Sequence, residues 1–287
     1  MGFEQEWYSS WFQINMVGLI NDLVPASDKP SKVAVVHADD FFANSIVNGL
    51  LGKEVRLPGS GTLVEDMAPG YIKSAGMDIV YHEQWPEEGF SDWLVLANSI
   101  KKSGADMVIA LMASPEEAVQ ITRALKTVNH NPKHLLLSQG TQAEYLEGLD
   151  AASDGTIIMS AWHAAAPYEG TLAGKQMNNS DMVAAFRAKT GKLPDEDQVI
   201  TFALCQGIDQ AVRATGSVDN GAIIKWLRSR TADDPVKTVM GAFNWDEYGL
   251  PVGKSFLMVQ WQSGELKFVY PTNEFATTPM LSPKPTW

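Results

Sequence analysis

The sequence predicts an α/β protein built on a parallel sheet with helices on both faces. Three observations carry that prediction. Apolar runs without alternation (Val33-Ala34-Val35-Val36, Met107-Val108-Ile109-Ala110-Leu111, Leu135-Leu136-Leu137) recur along the chain, as strands buried on both faces require. Segments of helical periodicity separate them, which suits parallel crossovers. The 287 residues are 45% hydrophobic and 20% charged, enough apolar surface for one large domain or two ordinary ones and unlike a disordered chain.

The first strand is expected over 33–37. Asp39-Asp40 then offer N-caps for a helix over 41–51. A Gly- and Pro-punctuated segment follows over 57–70. Within it Gly59-Ser60-Gly61-Thr62 lacks the spacing of a phosphate loop and reads as surface. A strand over 77–81, a helix over 91–103 and a strand over 107–111 come next. Ser114-Pro115-Glu116-Glu117 starts the following helix: Ser caps, Pro sets the first position and Glu completes the capping box. Behind it Ala118, Ile121, Thr122, Leu125 and Val128 share one face. Strands over 135–137 and 156–159 flank a helix over 142–149, and right-handed crossovers are expected throughout. After Trp162 the texture changes. Residues 163–179 read as loop, and helices are expected over 180–190, 195–215 and 220–230. Strands over 243–245, 256–261 and 266–270 follow, with Ser263-Gly264 as a hairpin turn. The Pro-rich tail from Pro271 reads as an extended strap over the surface.

Composition excludes several classes of partner. A net charge of −12 without a Lys/Arg cluster is the opposite of a nucleic-acid footprint. No run reaches the roughly 18 apolar residues of a membrane span, so no direct membrane insertion is expected. Residues 1–11 show neither a basic nor an apolar region of the signal-peptide kind, and no signal peptide is expected in this chain. Cys205 is the only cysteine. Lying in the run Phe202-Ala203-Leu204, it is expected to be a buried, inert thiol. The five histidines show no metal-type pairing in their spacing, and His37 reads as a hydrogen-bonded rim residue. No metal and no cofactor are expected. No nucleophile elbow, dinucleotide fingerprint or nucleophile–base–orienter set is present, which points to binding without turnover rather than to an enzyme.

In open parallel sheets, ligands bind beyond the carboxyl ends of the strands, where helix N-termini also point. That rule selects Asp39 to Phe42, Met112 to Ser114 and Ser138 to Thr141. The candidate ligand-binding residues are Phe41, Phe42, Ala113, Ser114, Gln139, Gly140 and Trp162. Alternatives stay open at several of these. One ring of the Phe41–Phe42 pair faces either a ligand or the core, Ser114 is first a helix cap, and Trp162 is either a site wall or a structural residue.

The ordered set Lys32-Val33-Ala34-Val35-Val36-His37 with Asp40-Phe41-Phe42-Ala43, Gly104-Ala105-Asp106-Met107-Val108, the stretch from Thr238 to Gly249, and Gln260-Trp261-Gln262-Ser263-Gly264-Glu265-Leu266 resembles the type I periplasmic binding proteins. Within these it is similar to the branched-chain amino acid and amide class of ABC-importer receptors. The resemblance implies two Rossmann-like lobes, with the first incomplete and lacking its N-terminal part. Lobe 2 would comprise 13–161 plus 242–271, the C-terminal part of lobe 1 would be 162–241, and 272–287 would be a tail. It also implies a small solute bound in a cleft between lobes, a membrane permease as partner, and a periplasmic or extracellular location with a lipid tether as an option. The family's aromatic cleft residue falls on Phe42, its next cleft position on Ala113 or Ser114, and its acidic ammonium-binding residue on Gln139. A neutral amide cannot give an ammonium the charge-assisted bond of a carboxylate. An amide, an aromatic acid or a keto acid is therefore at least as well suited as an amino acid. The alternatives are a ligand-sensing domain of a signalling system and a Rossmann-like enzyme.

Overall fold

A computed structural model describes residues 9–56, 61–66, 68–112, 114–247, 249–252 and 256–287. The described residues form two compact units, one from 9–160 together with 257–287, the other from 161–256.

The larger unit opens with helix α1 (Ser9–Leu23). Its Met16, Leu19 and Ile20 are buried at the i, i+3, i+4 spacing of a helix face. Then come β1 (Lys32–Ala38), α2 (Phe41–Leu51), β2 (Glu54–Arg56), β3 (Leu63–Asp66), α3 (Tyr71–Ser74) and β4 (Asp78–Trp85). They are followed by α4 (Trp93–Ser103), β5 (Met107–Leu111), α5 (Pro115–Thr127), β6 (His134–Leu137), α6 (Ala143–Leu149) and β7 (Ile157–Ser160). The Gly- and Pro-punctuated segment over 57–70 contains β3, which pairs antiparallel with β2. Residues 57–60 and 67, which include Gly59 and Ser60, lie outside the described residues.

Helix starts follow their sequence signals. Asp40 accepts a hydrogen bond from the Ala43 N–H, and Ser114 from that of Glu117, with Pro115 at the first position. Strand β1 is buried along nearly its whole length, and so is every residue of β5 and β6. Ala34, Val36 and Ala38 pack with Leu96, Ile100, Ile121, Leu125 and Leu149 from α4, α5 and α6. Strand alternation turns Val33, Val35 and His37 to the opposite face, where α1, α2 and α3 pack together.

In the smaller unit, β8 (Thr171–Leu172) and β9 (Lys175–Gln176) form a short hairpin, followed by α7 (Asn179–Thr190), α8 (Glu196–Thr215) and α9 (Asn220–Arg228). A second hairpin joins β10 (Val236–Thr238) and β11 (Gly241–Phe243). Gln206 is wholly buried. Its amide donates to the Met177 carbonyl at 2.9 Å and accepts from the Val239 N–H at 2.8 Å, stitching α8 to the loops on both sides. Two expectations are corrected here. Residues 242–256 belong to this unit rather than to the larger one, because β11 is paired with β10 and Trp245 bridges to Pro251. Cys205 is exposed, not buried. Helix α8 buries Val199, Ala203, Gln206, Gly207 and Ala211, and Cys205 falls on the opposite face.

The chain returns to the larger unit as β12 (Leu257–Gln262) and β13 (Glu265–Tyr270). Strand β12 lies antiparallel beside β7, and β13 beside β12. The completed seven-stranded sheet has the order β13-β12-β7-β6-β5-β1-β4, with β4, β1, β5, β6 and β7 parallel. The tail from Pro271 contains no helix or strand. It is fastened by backbone bonds from Thr278 to Phe268 and from Lys284 to Lys133.

Candidate functional site

The strand order contains a reversal of the kind at which open α/β sheets bind ligands. From β1 the chain crosses to β4 on one side and then to β5 on the other. The crevice at such a reversal, beyond the carboxyl ends of β1 and β5, is where open α/β sheets bind ligands. The residues after β1 are Asp39 to Phe42, and those after β5 are Met112 to Ser114. Gln139 and Gly140 follow β6, the next strand along.

Five of the seven candidates, Phe41, Phe42, Ser114, Gln139 and Gly140, therefore lie at neighbouring strand ends of one sheet. Phe41 and Phe42 occupy the first turn of α2. Phe41 is 53% exposed and Phe42 half-buried. Ser114 is half-buried and its hydroxyl accepts from the Glu117 N–H at 3.2 Å, the capping role expected of it. Ala113 lies outside the described residues. Trp162 belongs to the smaller unit. There its indole donates to Asn179 Oδ1 at 2.8 Å, and the buried Asn179 in turn donates to the carbonyls of His163, Ala164 and Ala166.

The loop after β6 is held by hydrogen bonds whose direction can be worked out. The Gly140 N–H can only donate, and it meets Gln142 Oε1 at 3.3 Å. The other end of that amide, Nε2, donates to Gln139 Oε1 at 3.2 Å. The network thus fixes the orientation of the Gln139 amide, with its oxygen accepting one hydrogen bond and the two N–H donors of Nε2 turned the other way. Gly140 has φ +123, and a Cβ there would come within 3.1 Å of Ile158 Cδ1 and Tyr145 Cδ2. Its carbonyl accepts from the Trp261 indole at 2.8 Å. Ser138 is consumed structurally: its hydroxyl accepts from the Met112 N–H and donates to the Met112 carbonyl, both at 2.8 Å, tying the ends of β5 and β6 together.

Sequence reasoning passed over a carboxylate pair at the same rim. Asp40 is 7% exposed, and while Oδ1 caps α2, Oδ2 is buried without a hydrogen-bond partner. Nearby Glu117 accepts from the Trp85 indole at 2.8 Å. Burial raises its pKa, and the Asp40 charge adds to the effect. Thr141 Oγ1 is likewise buried and unpartnered. Orphaned buried polar atoms are uncommon in folded proteins, and no sequence pattern announces one. Among the described residues no cluster of three or more His, Cys, Asp or Glu could hold a metal, and no helix is long and apolar enough to cross a membrane.

Comparison with known proteins gives the family and the fold. The family described as "Periplasmic binding protein" matches residues 58–265. Leu/Ile/Val-binding protein homolog 1 of Brucella abortus is 24% identical over 239 residues, 82% of this chain and 55% of the relative. The chain thus spans about half the length of the curated relatives it matches. Among solved structures, a leucine binding protein from Thermotoga maritima aligns with a TM-score of 0.67 at 16% identity, over 92% of this chain and 65% of the other. A solute binding protein from R. palustris in complex with benzoate aligns with a TM-score of 0.65 at 15% identity, over 91% and 62%.

Proposed function

The chain belongs to the periplasmic binding protein family, and we propose on that premise that it is the solute receptor of an ABC importer. It would act in the periplasm or outside the cell, with or without a lipid tether, and pass a small organic solute to a membrane permease. Binding takes place at the strand-end rim of the larger unit without chemical turnover. An aromatic wall at Phe41 and Phe42, the N-terminal turns of α2 and α5, and the Gln139 amide carry it.

One observation supports the solute class. At the Gln139 position the rim offers N–H donors, because the Gly140–Gln142–Gln139 network engages the amide oxygen. A donor suits a carboxylate, keto or amide oxygen. A neutral amide offers an ammonium no opposite charge, which is costly once the ammonium is buried. The solute is therefore an organic acid or amide, with or without an α-amino group, that places an acceptor oxygen against Gln139. The relatives named for leucine and the neighbour in complex with benzoate have in common a ligand with a carboxylate.

The test is thermal unfolding against a panel of amino acids, their keto analogues, amides and aromatic carboxylates. A ligand at about 100 times its Kd adds roughly 2.7 kcal/mol, or about 5–10 °C for a unit of this size. Acids and amides are expected to shift the melt, and Gln139→Glu to abolish that shift by opposing an acceptor with an acceptor. A cooperative melt that no panel member moves would overturn the receptor reading. A shift by amino acids alone, kept in Gln139→Glu, would overturn the solute class.

A further inference from the structure

The histidines show no pairing in their sequence spacing, yet the sheet brings two of them together. Strands β1 and β4 run parallel, with Val35 opposite His82 and His37 opposite Gln84. His37 and His82 therefore stand on the same face of neighbouring strands. Their Nε2 atoms are 3.2 Å apart. The ring planes lie within 13° of parallel and the centroids 5.3 Å apart. The nitrogens are thus much closer than the ring centres, so the Nε2 corners face each other.

The two rings are held differently. His37 is 3% exposed, and its Nδ1 lies 2.9 Å from the carbonyl oxygen of Ala38. A carbonyl only accepts, so Nδ1 carries the proton and the lone pair of neutral His37 sits on Nε2. A backbone carbonyl that fixes tautomer and ring orientation in this way is the usual outer partner of a metal-ligating histidine. His82 is exposed and its Nε2–H donates to His37 Nε2. On metal uptake that proton passes to its solvent-facing Nδ1, which frees the Nε2 lone pair, and the ring swings by a few tenths of an ångström at little cost.

The separation also matches a metal's bite. Two imidazole nitrogens at about 2.0–2.1 Å from one ion are roughly 3.4 Å apart at a tetrahedral angle and roughly 2.9 Å apart at a right angle. The observed 3.2 Å falls between. We infer that His37 and His82 form a two-imidazole site for a divalent transition metal, with water completing the coordination. Asp39, Asp40 and Glu83 lend negative charge to the surroundings and Lys53 positive charge. Asp39 is itself engaged, accepting from Gln84 Nε2 at 2.7 Å and Asn44 Nδ2 at 3.0 Å. Two nitrogen ligands leave the choice of metal to intrinsic affinity, so Cu²⁺ binds more tightly than Ni²⁺ or Zn²⁺. The site lies within the larger unit and does not depend on the solute reading.

The test is titration of the whole chain with CuCl₂, NiCl₂ and ZnCl₂, with the frozen-solution electron paramagnetic resonance spectrum of the copper form. The expected result is one Cu²⁺ per chain with coupling to two imidazole nitrogens. His82→Gln, a change at an exposed position, should lower the affinity at least about tenfold while the circular dichroism spectrum is kept. His163→Gln, in the other unit, should leave affinity and spectrum unchanged. A folded chain that takes up no copper, or a His82→Gln chain that binds as the parent does, would overturn the inference.

Discussion

Replacing Ser138 by alanine tests how the rim is built. Ser138 is 4% exposed and Met112 wholly buried. One hydroxyl satisfies both backbone groups of Met112, each at 2.8 Å. Ser138→Ala removes an oxygen and leaves a buried N–H and a buried C=O without their partner. Each orphaned group costs about 1–3 kcal/mol. With some relaxation the pair amounts to about 2–4 kcal/mol, or on the order of 5–12 °C in the melt of a unit this size. Ser153→Ala is the comparison. Ser153 is also wholly buried, but its hydroxyl donates only once, to the carbonyl of Asp150 at 2.7 Å. Asp150 is exposed, so water can replace that bond and the loss is about 1 kcal/mol. The assay is urea unfolding of both variants at pH 7, with unchanged slopes as the check on the comparison. A Ser138→Ala loss no larger than that of Ser153→Ala would refute the claim that this hydroxyl ties β5 to β6.

Three further outcomes are expected. His134 is 1% exposed, and burial, helped by the neighbouring Lys133 charge, pushes its pKa down to about 4. The unfolded chain then takes up a proton near pH 6.5 that the folded chain refuses. Stability from this group is complete above that pH and is lost as pH falls towards 4, by up to about 3 kcal/mol. His134→Gln should flatten that part of the stability–pH curve. Cys205, exposed on α8, should react with one equivalent of Ellman's reagent in the native protein, and a requirement for denaturant would contradict its placement. Gly140→Ala should lose about 1–3 kcal/mol, read by thermal melting, because a Cβ at φ +123 is strained and meets Tyr145 and Ile158.

The parts of the fold legible in the sequence were those where local pattern and tertiary role agree. The runs at β1, β5 and β6 are buried on both faces, so their apolarity is continuous, and the caps at Asp40 and Ser114 are local devices read from their own neighbours. In helix α1 the spacing of Met16, Leu19 and Ile20 is likewise a local pattern. Cys205 was misread because its apolar neighbours suggested burial, although Leu204, also exposed, shows that this side of α8 carries apolar residues without covering them. The boundary at 242–256 depended on which hairpin β11 joins, a pairing no single strand announces. At the site, strand ends could be located from the pattern. The orphaned oxygen of Asp40 and the His37–His82 pair could not, because both arise from residues brought together across the sheet.

One feature of the sheet bears on how the protein is made. Strand β12 pairs with β7, Leu257 lying opposite Ser160, while everything between them forms the smaller unit. The two strands are in effect the arms of a hairpin whose turn has been replaced by a whole module. During synthesis the edge of β7 must wait, unpaired, until that module has emerged, which is a window for wrong partners. The same geometry makes the module removable, since a tight turn joining Ser160 to Leu257 would restore an ordinary hairpin and shorten the loop whose closure β12 must await.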